Sequence, residues 1–342
     1  MTELWIEPKP SWTIPGEAIS RPEGVAFSPC GGFVAVAESG SNRVRVYAHG
    51  STDAPAREVC RIEGPASGID YPHDVDFSPD GRLLAVANRT GATLTFYARR
   101  PGSPGSYGPE PSSTVEGRHA RLAYSDGVKF VPPKGAYVAA VSLATSSINL
   151  YRRGWLSRSR FGSRPCFRLR GPETRLDQPD GLAFSADGSL LAVANHGSHT
   201  VTIYARRARS IAYGPKPVAV LGAGTVRFHY PHSVAFSPDA THLAISNAGA
   251  RHVSIYRRAK AGDGAPWSEG PVLELEACDA ALFDSANRTN LAEGGSKGVA
   301  FGGDCFGVCN EHFGLRVHRF GTRKSGSVAP PSVPSTIDAH RV

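Results

Sequence analysis

No stretch of the chain approaches the about 18 consecutive apolar residues that a membrane-crossing helix needs, and no membrane partner is expected. The N-terminal segment MTELWIEPKPSWTIPGEAI also lacks a continuous apolar core, because Glu3, Glu7, Lys9 and three prolines interrupt it. A secretory signal cannot be built from such residues, so the expectation is a soluble protein of the cytoplasm. Cysteine is sparse: six thiols are scattered over 342 residues. That is unlike the dense framework of a small secreted scaffold, and reduced thiols are expected. Missing too are a phosphate-cradling glycine loop, a dinucleotide fingerprint and a nucleophile elbow.

Turn formers, by contrast, are plentiful. The 38 glycines and 27 prolines break the chain too often for a helix-rich fold and point to short strands joined by tight turns. The formal net charge of +8 would suit an anionic partner if the cations were gathered on one surface. Many of them recur after a repeated aromatic, as in Arg99 and Arg100 after Tyr97, Arg152 and Arg153 after Tyr151, Arg206 and Arg207 after Tyr204, and Arg257 and Arg258 after Tyr256. That position is periodic and structural. A nucleic-acid partner for Arg158, Arg160, Arg164, Arg206, Arg207 and Arg209 is therefore not expected.

The period itself is the dominant signal. RPEGVAFSPCGGFVAVAESGSNRVRVYAHG from Arg21 is followed by YPHDVDFSPDGRLLAVANRTGATLTFYARR from Tyr71. Related copies start at Tyr124, Gln178 and Tyr230, and a worn one at Gly295. Each copy reads as a short strand ending in Phe, a Ser-Pro-Asp-Gly type turn, a second apolar strand and an alternating third strand, with a fourth after a variable loop. The anchoring positions Gly24, Asp74, Gly127, Gly181, Ser233 and Gly298 are 50, 53, 54, 52 and 65 residues apart. This spacing predicts an all-β, six-bladed β-propeller with four antiparallel strands per blade. The last copy lacks a fourth strand, whereas Ser11 to Pro15 precede the first copy. We therefore expect the N-terminal strand to complete the last blade and close the ring. The propeller is expected to span residues 1–321 and a flexible Ser/Pro-rich tail residues 322–342, in a monomer.

Aligning the copies exposes the residue before the first strand of each blade, at the channel: Glu23, His73, Asp126, Asp180, His232 and Lys297. All six ionise. With six blades, Glu23 should oppose Asp180, His73 should oppose His232, and Asp126 should oppose Lys297. Three carboxylates against one lysine make an acidic mouth that suits a divalent cation. Oxygen donors would favour calcium, and imidazoles among carboxylates would favour zinc, manganese or iron. Glu23, Asp180, Asp126, His73 and His232 are the candidate metal ligands. His73, His232, Asp126 and Lys297 are the candidate catalytic residues. At the end of the second strand a further polar set returns to the same mouth, with Glu38, Asn88, Asn195, Asn247 and Asn310 and the neighbouring His196 as candidate substrate contacts.

The phrases PHDVDFSPDGRLLAVAN and PHSVAFSPDATHLAISN, with VTIY and VSIY closing the third strands, resemble the repeats of lactonase-type and YVTN-repeat propellers. Glu23-Gly24, Asp126-Gly127 and Asp180-Gly181 are similar to the cation-binding positions of the six-bladed gluconolactonase (SMP-30) group, and the NHL propellers share the same general repeat. The resemblance implies a metal-dependent, lactonase-like hydrolase acting on a small polar substrate at the channel mouth. The alternative it implies is a non-catalytic propeller that binds a protein, peptide or other ligand.

Overall fold

The computed structural model describes residues 2–50, 55–155, 157, 159–222, 228–259, 266–278, 280–284 and 292–324. Six sheets stand around a central channel, each built in the order of the sequence repeat. In blade 1 the strands are Pro22–Phe27, Phe33–Glu38, Arg43–Ala48 and Arg57–Ile62, running from the channel outward. Blades 2 to 5 follow with inner strands Pro72–Phe77, Val128–Phe130, Pro179–Phe184 and Pro231–Phe236. Among the described residues the α-helix is limited to the single turn Ala280–Phe283.

The turn between the first two strands is built by its own side chains. In blade 2, Ser78 Oγ donates to Asp80 at 2.6 Å and accepts the Leu83 N–H, while Gly81 takes φ +63. The same device recurs at Ser185 and Asp187 and at Ser237 and Asp239. The repeated aromatic of the third strand plays a different part, for the hydroxyls of Tyr97, Tyr151 and Tyr204 donate to the carbonyls of Ser67, Ala120 and Thr174. Each thereby pins the loop that enters its own blade from the preceding one.

Adjacent inner strands approach so closely that side chains are largely excluded between them. A Cβ on Gly24 would lie 2.7 Å from the Asp74 Cα, and one on Gly181 would lie 2.7 Å from the Ser233 Cα. Asp74 replaces the glycine in blade 2 and uses its carboxylate across the gap, accepting the Val128 N–H at 3.0 Å and the Lys129 ammonium at 2.7 and 2.6 Å. Six apolar clusters fill the six blade-to-blade interfaces. The hydrophobic cores of this fold therefore lie between blades.

Closure occurs where the sequence places it, and it extends further. Trp12–Ile14 pairs antiparallel with the last strand, Gly314–Lys324, in the register Trp12 to Val317 and Ile14 to Leu315. A second N-terminal strand, Thr2–Ile6, pairs with the far half of the same strand, from Ile6 opposite Phe320 to Thr2 opposite Lys324. Trp12 and Ile14 then pack with Val25, Val34 and Val36 of blade 1. The last strand runs through Lys324, and residues 325–342 of the expected tail lie outside the described residues. No helix among the described residues is long and apolar enough to cross a membrane.

Candidate functional site

The inner strands begin at one end of the channel, and there they are irregular. Pairing with the second strand shifts register between Pro22 and Gly24, between Pro72 and Asp74, between Pro179 and Leu182, and between Pro231 and Val234. Each bulge falls on a ring residue, and bulges re-aim side chains. The residue two positions earlier takes a left-handed conformation in five blades: Arg21, Tyr71, Tyr124, Gln178 and Tyr230 have φ between 45 and 54°. Such conformations are unfavourable for residues with a Cβ and collect at sites that over-determine them.

Above the bulges lies a cavity of about 290 Å³. Glu23, His73, Asp180, His232 and Lys297 line it, as does His196. The two imidazoles His73 and His232 stack with centroids 4.9 Å apart. His232 Nε2 lies 3.4 Å from Glu23 Oε2 and 3.6 Å from Asp180 Oδ2. His73 Nδ1 lies 3.1 Å from the Asp126 carbonyl oxygen and 3.7 Å from Asp180 Oδ1. A carbonyl only accepts, so Nδ1 of His73 carries the proton and its lone pair sits on Nε2.

Asp126 and Lys297 do not form the facing pair that blade order suggests. Asp126 is buried beneath Arg89, with Oδ2 3.1 Å from the guanidinium, and Arg89 also reaches His73 Nε2 at 3.3 Å. Lys297 makes its ion pair with Glu293, whose other oxygen lies 3.4 Å from His196 Nε2. Each charge has found a nearer partner on a loop that the strand-start alignment does not cover. Four carboxylates (Glu23, Asp180, Glu293, Glu311) face three cations (Arg21, Arg89, Lys297) in the lining, so the mouth is close to balanced rather than strongly acidic.

The electrostatics follow from these pairs. Burial would raise the Glu23 carboxyl, but the Lys297 ammonium with His232 and His73 holds it well below the ordinary carboxylate range. Burial pushes His73 down to about 4, against the pull of Asp180 and Glu23, so its imidazole is neutral at pH 7. Burial and the neighbouring Asp180 raise Asp126 well above its usual range, with Arg89 opposing. Burial would lower Lys297, yet Glu23 and Glu293 keep it raised and charged.

The second polar set behaves differently from its expected place at the mouth. Asn88 donates to the hydroxyls of Thr93 and Thr95, both at 3.1 Å, and accepts the Asp70 N–H. Asn195 repeats this with Thr200, Thr202 and Asp177. Asn247 donates to the His252 carbonyl and Ser254, and Asn310 to the carbonyls of Gly294 and Gly295. Glu38 is fully buried against Arg43 and Arg45. None of these five lines the cavity, whereas the residue after the second strand does in four blades: Arg89, Leu143, His196 and Glu311. Side chains alternate along a strand, so the facing position is one residue later than the polar ring. Reading that next position would have found Arg89. Glu293 carries no repeat signal.

A divalent cation is what the resemblance implies here, and part of the donor set stands at suitable distances. Ligands about 2.0–2.2 Å from one ion lie roughly 3–3.6 Å apart, close to the 3.4 and 3.6 Å that separate His232 from Glu23 and Asp180. Donor atoms of Glu23, His73 and His232 lie within 4.8 Å of one another, as do those of His73, Asp126 and Asp180. Glu23 Oε2 is buried and makes no hydrogen bond.

Comparison with known proteins agrees with this architecture. Residues 10–106, which hold the closing strand, blade 1 and most of blade 2, match a family model described as "Lactonase, 7-bladed beta-propeller". No curated protein matches the chain. Among solved structures, a putative 6-phosphogluconolactonase from Bacteroides fragilis superposes with TM-score 0.58 at 17% identity, over 86% of this chain and 78% of that one. The periplasmic gluconolactonase of Pseudomonas aeruginosa gives TM-score 0.56 at 19% identity, over 86% and 80%. The Cps50 (Swd1) β-propeller domain of Myceliophteria thermophila gives 0.55 at 12%, over 88% and 96%. At these identities the likeness is one of fold. The chain is thus a six-bladed β-propeller that resembles the lactonase-type propellers, closing with six blades where the matching family is described with seven.

Proposed function

We propose that the channel mouth is the active site of a hydrolase that opens a lactone or related ester of a small polar molecule. The observation that carries this reading is His232 Nε2, standing between Glu23 and Asp180 on the floor of the cavity. An imidazole that takes a proton there is paired with a carboxylate at once, which is what a general base needs in order to draw a proton from attacking water. His73, held neutral as its Nδ1–H tautomer, presents a second lone pair at Nε2. Arg89 and Lys297 supply fixed positive charge for a carbonyl oxygen that becomes an oxyanion. The match of residues 10–106 to a lactonase family and the gluconolactonase likeness support the same class.

Were a divalent cation bound there, Glu23, His73 and His232, whose donor atoms cluster at the mouth, would hold it once Arg89 releases His73 Nε2, and His232 would then be a ligand in place of the base. When bound, such an ion polarises a carbonyl and acidifies water. The imidazole donors favour zinc, manganese or iron over calcium.

The test is hydrolysis of a panel of sugar lactones and simple esters by the purified protein, with elemental analysis on the same sample. Turnover of a lactone with stoichiometric divalent metal supports both parts of the reading. Turnover unaffected by chelation leaves the hydrolase and removes the metal. No turnover, with a polar ligand still protecting the fold against heat, replaces the hydrolase by a binding platform. Cell fractionation checks the cytoplasmic location that goes with this proposal.

A further inference from the structure

The face opposite the cavity has a different chemistry. From Arg152 to Arg164 the chain carries five arginines and no acidic residue, and from Ala205 to Pro217 three arginines, one lysine and no acidic residue. The described residues of these segments form the hairpins that leave the third strands of blades 3 and 4, through the bridges Arg153 to Phe161 and Arg206 to Tyr213. Arg152, Arg160, Arg164, Arg207 and Arg209 are exposed there. The nearby carboxylates Asp80, Asp187 and Asp239 are engaged in their own turns.

Apolar side chains share this rim. Trp155 lies on the blade 3 hairpin with 85% of its surface exposed. Val218 and Val272 are 45% and 44% exposed. They precede the outer strands of blades 4 and 5 at the same end, with their N–H groups on the carbonyls of Ile203 and Ile255. At Val272 begins a crevice of about 280 Å³ between blades 5 and 6, lined by Leu4, Trp5 and Leu273 together with Arg257 and with Arg323, which pairs with Glu3 at 3.7 Å. Exposed apolar groups and arginines therefore follow one another along the lower rim from blade 3 to blade 6.

We infer that this rim docks the propeller on an anionic lipid bilayer, with Trp155 entering the headgroup region and the arginines meeting lipid phosphates. A tryptophan at the water–lipid boundary keeps its indole N–H wet while its ring leaves water. Cations on the same surface are drawn to anionic headgroups. A nucleic acid would use the arginines and the indole, but it offers nothing to Val218, Val272 and the apolar crevice, which a bilayer would cover. Docking by this face leaves the cavity open to solvent on the other side. The inference departs from the absence of a membrane partner expected from the sequence, in which the arginines mark a periodic position and the rim is scattered over four blades.

The full-length protein should co-sediment with vesicles of phosphatidylcholine containing about 30% phosphatidylglycerol, and not with phosphatidylcholine alone. Its tryptophan emission should shift to the blue on binding, and about 0.5 M salt should weaken the association. Trp155→Ser should reduce binding at least about tenfold and abolish the blue shift with an unchanged melting temperature, since that side chain is almost entirely in water. Arg160→Glu combined with Arg207→Glu and Arg209→Glu should remove the preference for anionic lipid. Equal binding by Trp155→Ser and the parent would overturn the inference. So would failure to bind anionic vesicles while a single-stranded thymidine oligonucleotide binds.

Discussion

His73 and His232, which start opposite blades, stack across the channel with ring centroids 4.9 Å apart and planes 25° from parallel. The Glu23 and Asp180 carboxylates each come within 4.0 Å of both rings, so a proton drawn from water by His232 is met by a carboxylate at once. Replacing His232 by Gln should lower kcat/KM for the lactone found in the substrate panel by about 100- to 10,000-fold, the range for loss of a general base. Thermal melting should move by only a few degrees. Steady-state kinetics beside a melting curve check this, and retention of full activity would rule His232 out as the base.

The brace residues should respond in the opposite way. Asn195→Ala leaves the hydroxyls of Thr200 and Thr202 and the Asp177 N–H without their shared partner, at a cost of about 1–3 kcal/mol. Since Asn195 does not line the cavity, kcat/KM should stay within about threefold of the parent. His196→Ala, one residue on, should show the reverse pattern. Urea unfolding and kinetics on both variants separate a blade brace from a cavity residue.

Ring closure bears on stability alone. Trp12 is buried among Val25, Val34 and Val36 of blade 1 while its backbone pairs with Val317 of blade 6. Trp12→Ala should cost about 3–5 kcal/mol, and deletion of residues 1–15 should leave a chain that fails to melt cooperatively. Circular dichroism against temperature measures both. A truncated protein with the parent's transition would show that the ring does not depend on this strand.

Asp76, facing the lower half of the channel, should make stability fall as pH rises. Burial pushes its carboxyl up to about 7 in the folded state, against the pull of Lys129, whereas an unfolded Asp titrates near pH 4. Between these values the folded protein holds the proton and the unfolded chain does not. The protonated form stabilises the fold below about pH 4, and that contribution is lost progressively up to pH 7. Asp76→Asn should therefore gain roughly 1–3 kcal/mol on the parent between pH 4 and pH 7. Urea midpoints across that range test the sign, and a constant difference would refute it.

Local features are legible in the chain, and assembled ones are not. Phe27, Phe77, Phe130 and their counterparts mark the ends of inner strands in the sequence, and the Ser-Pro-Asp-Gly turns mark the reversals. Six blades, the closing strand and the ring from Glu23 to Lys297 follow from spacing alone, because each blade repeats one hydrogen-bonded pattern of fixed length. Glu38 and the asparagines are legible as a ring but not as braces. Whether a strand-end amide turns toward the channel or toward its own third strand depends on a half-step of the pleat, which periodicity does not resolve.

What the sequence determined by itself, then, was the number of blades and the ionisable residue at each inner-strand start, five of which line the cavity. The tertiary structure alone decided their pairing. Blade order sets Asp126 against Lys297, yet Asp126 bonds Arg89 and Lys297 bonds Glu293. A buried charge is costly unless compensated, and it takes whichever opposite charge the folded loops bring nearest. For Asp126 that choice is made across blades, by an arginine 37 residues away in the chain, and for Lys297 by the way the loop before it folds back to bring Glu293, four residues earlier, onto its ammonium.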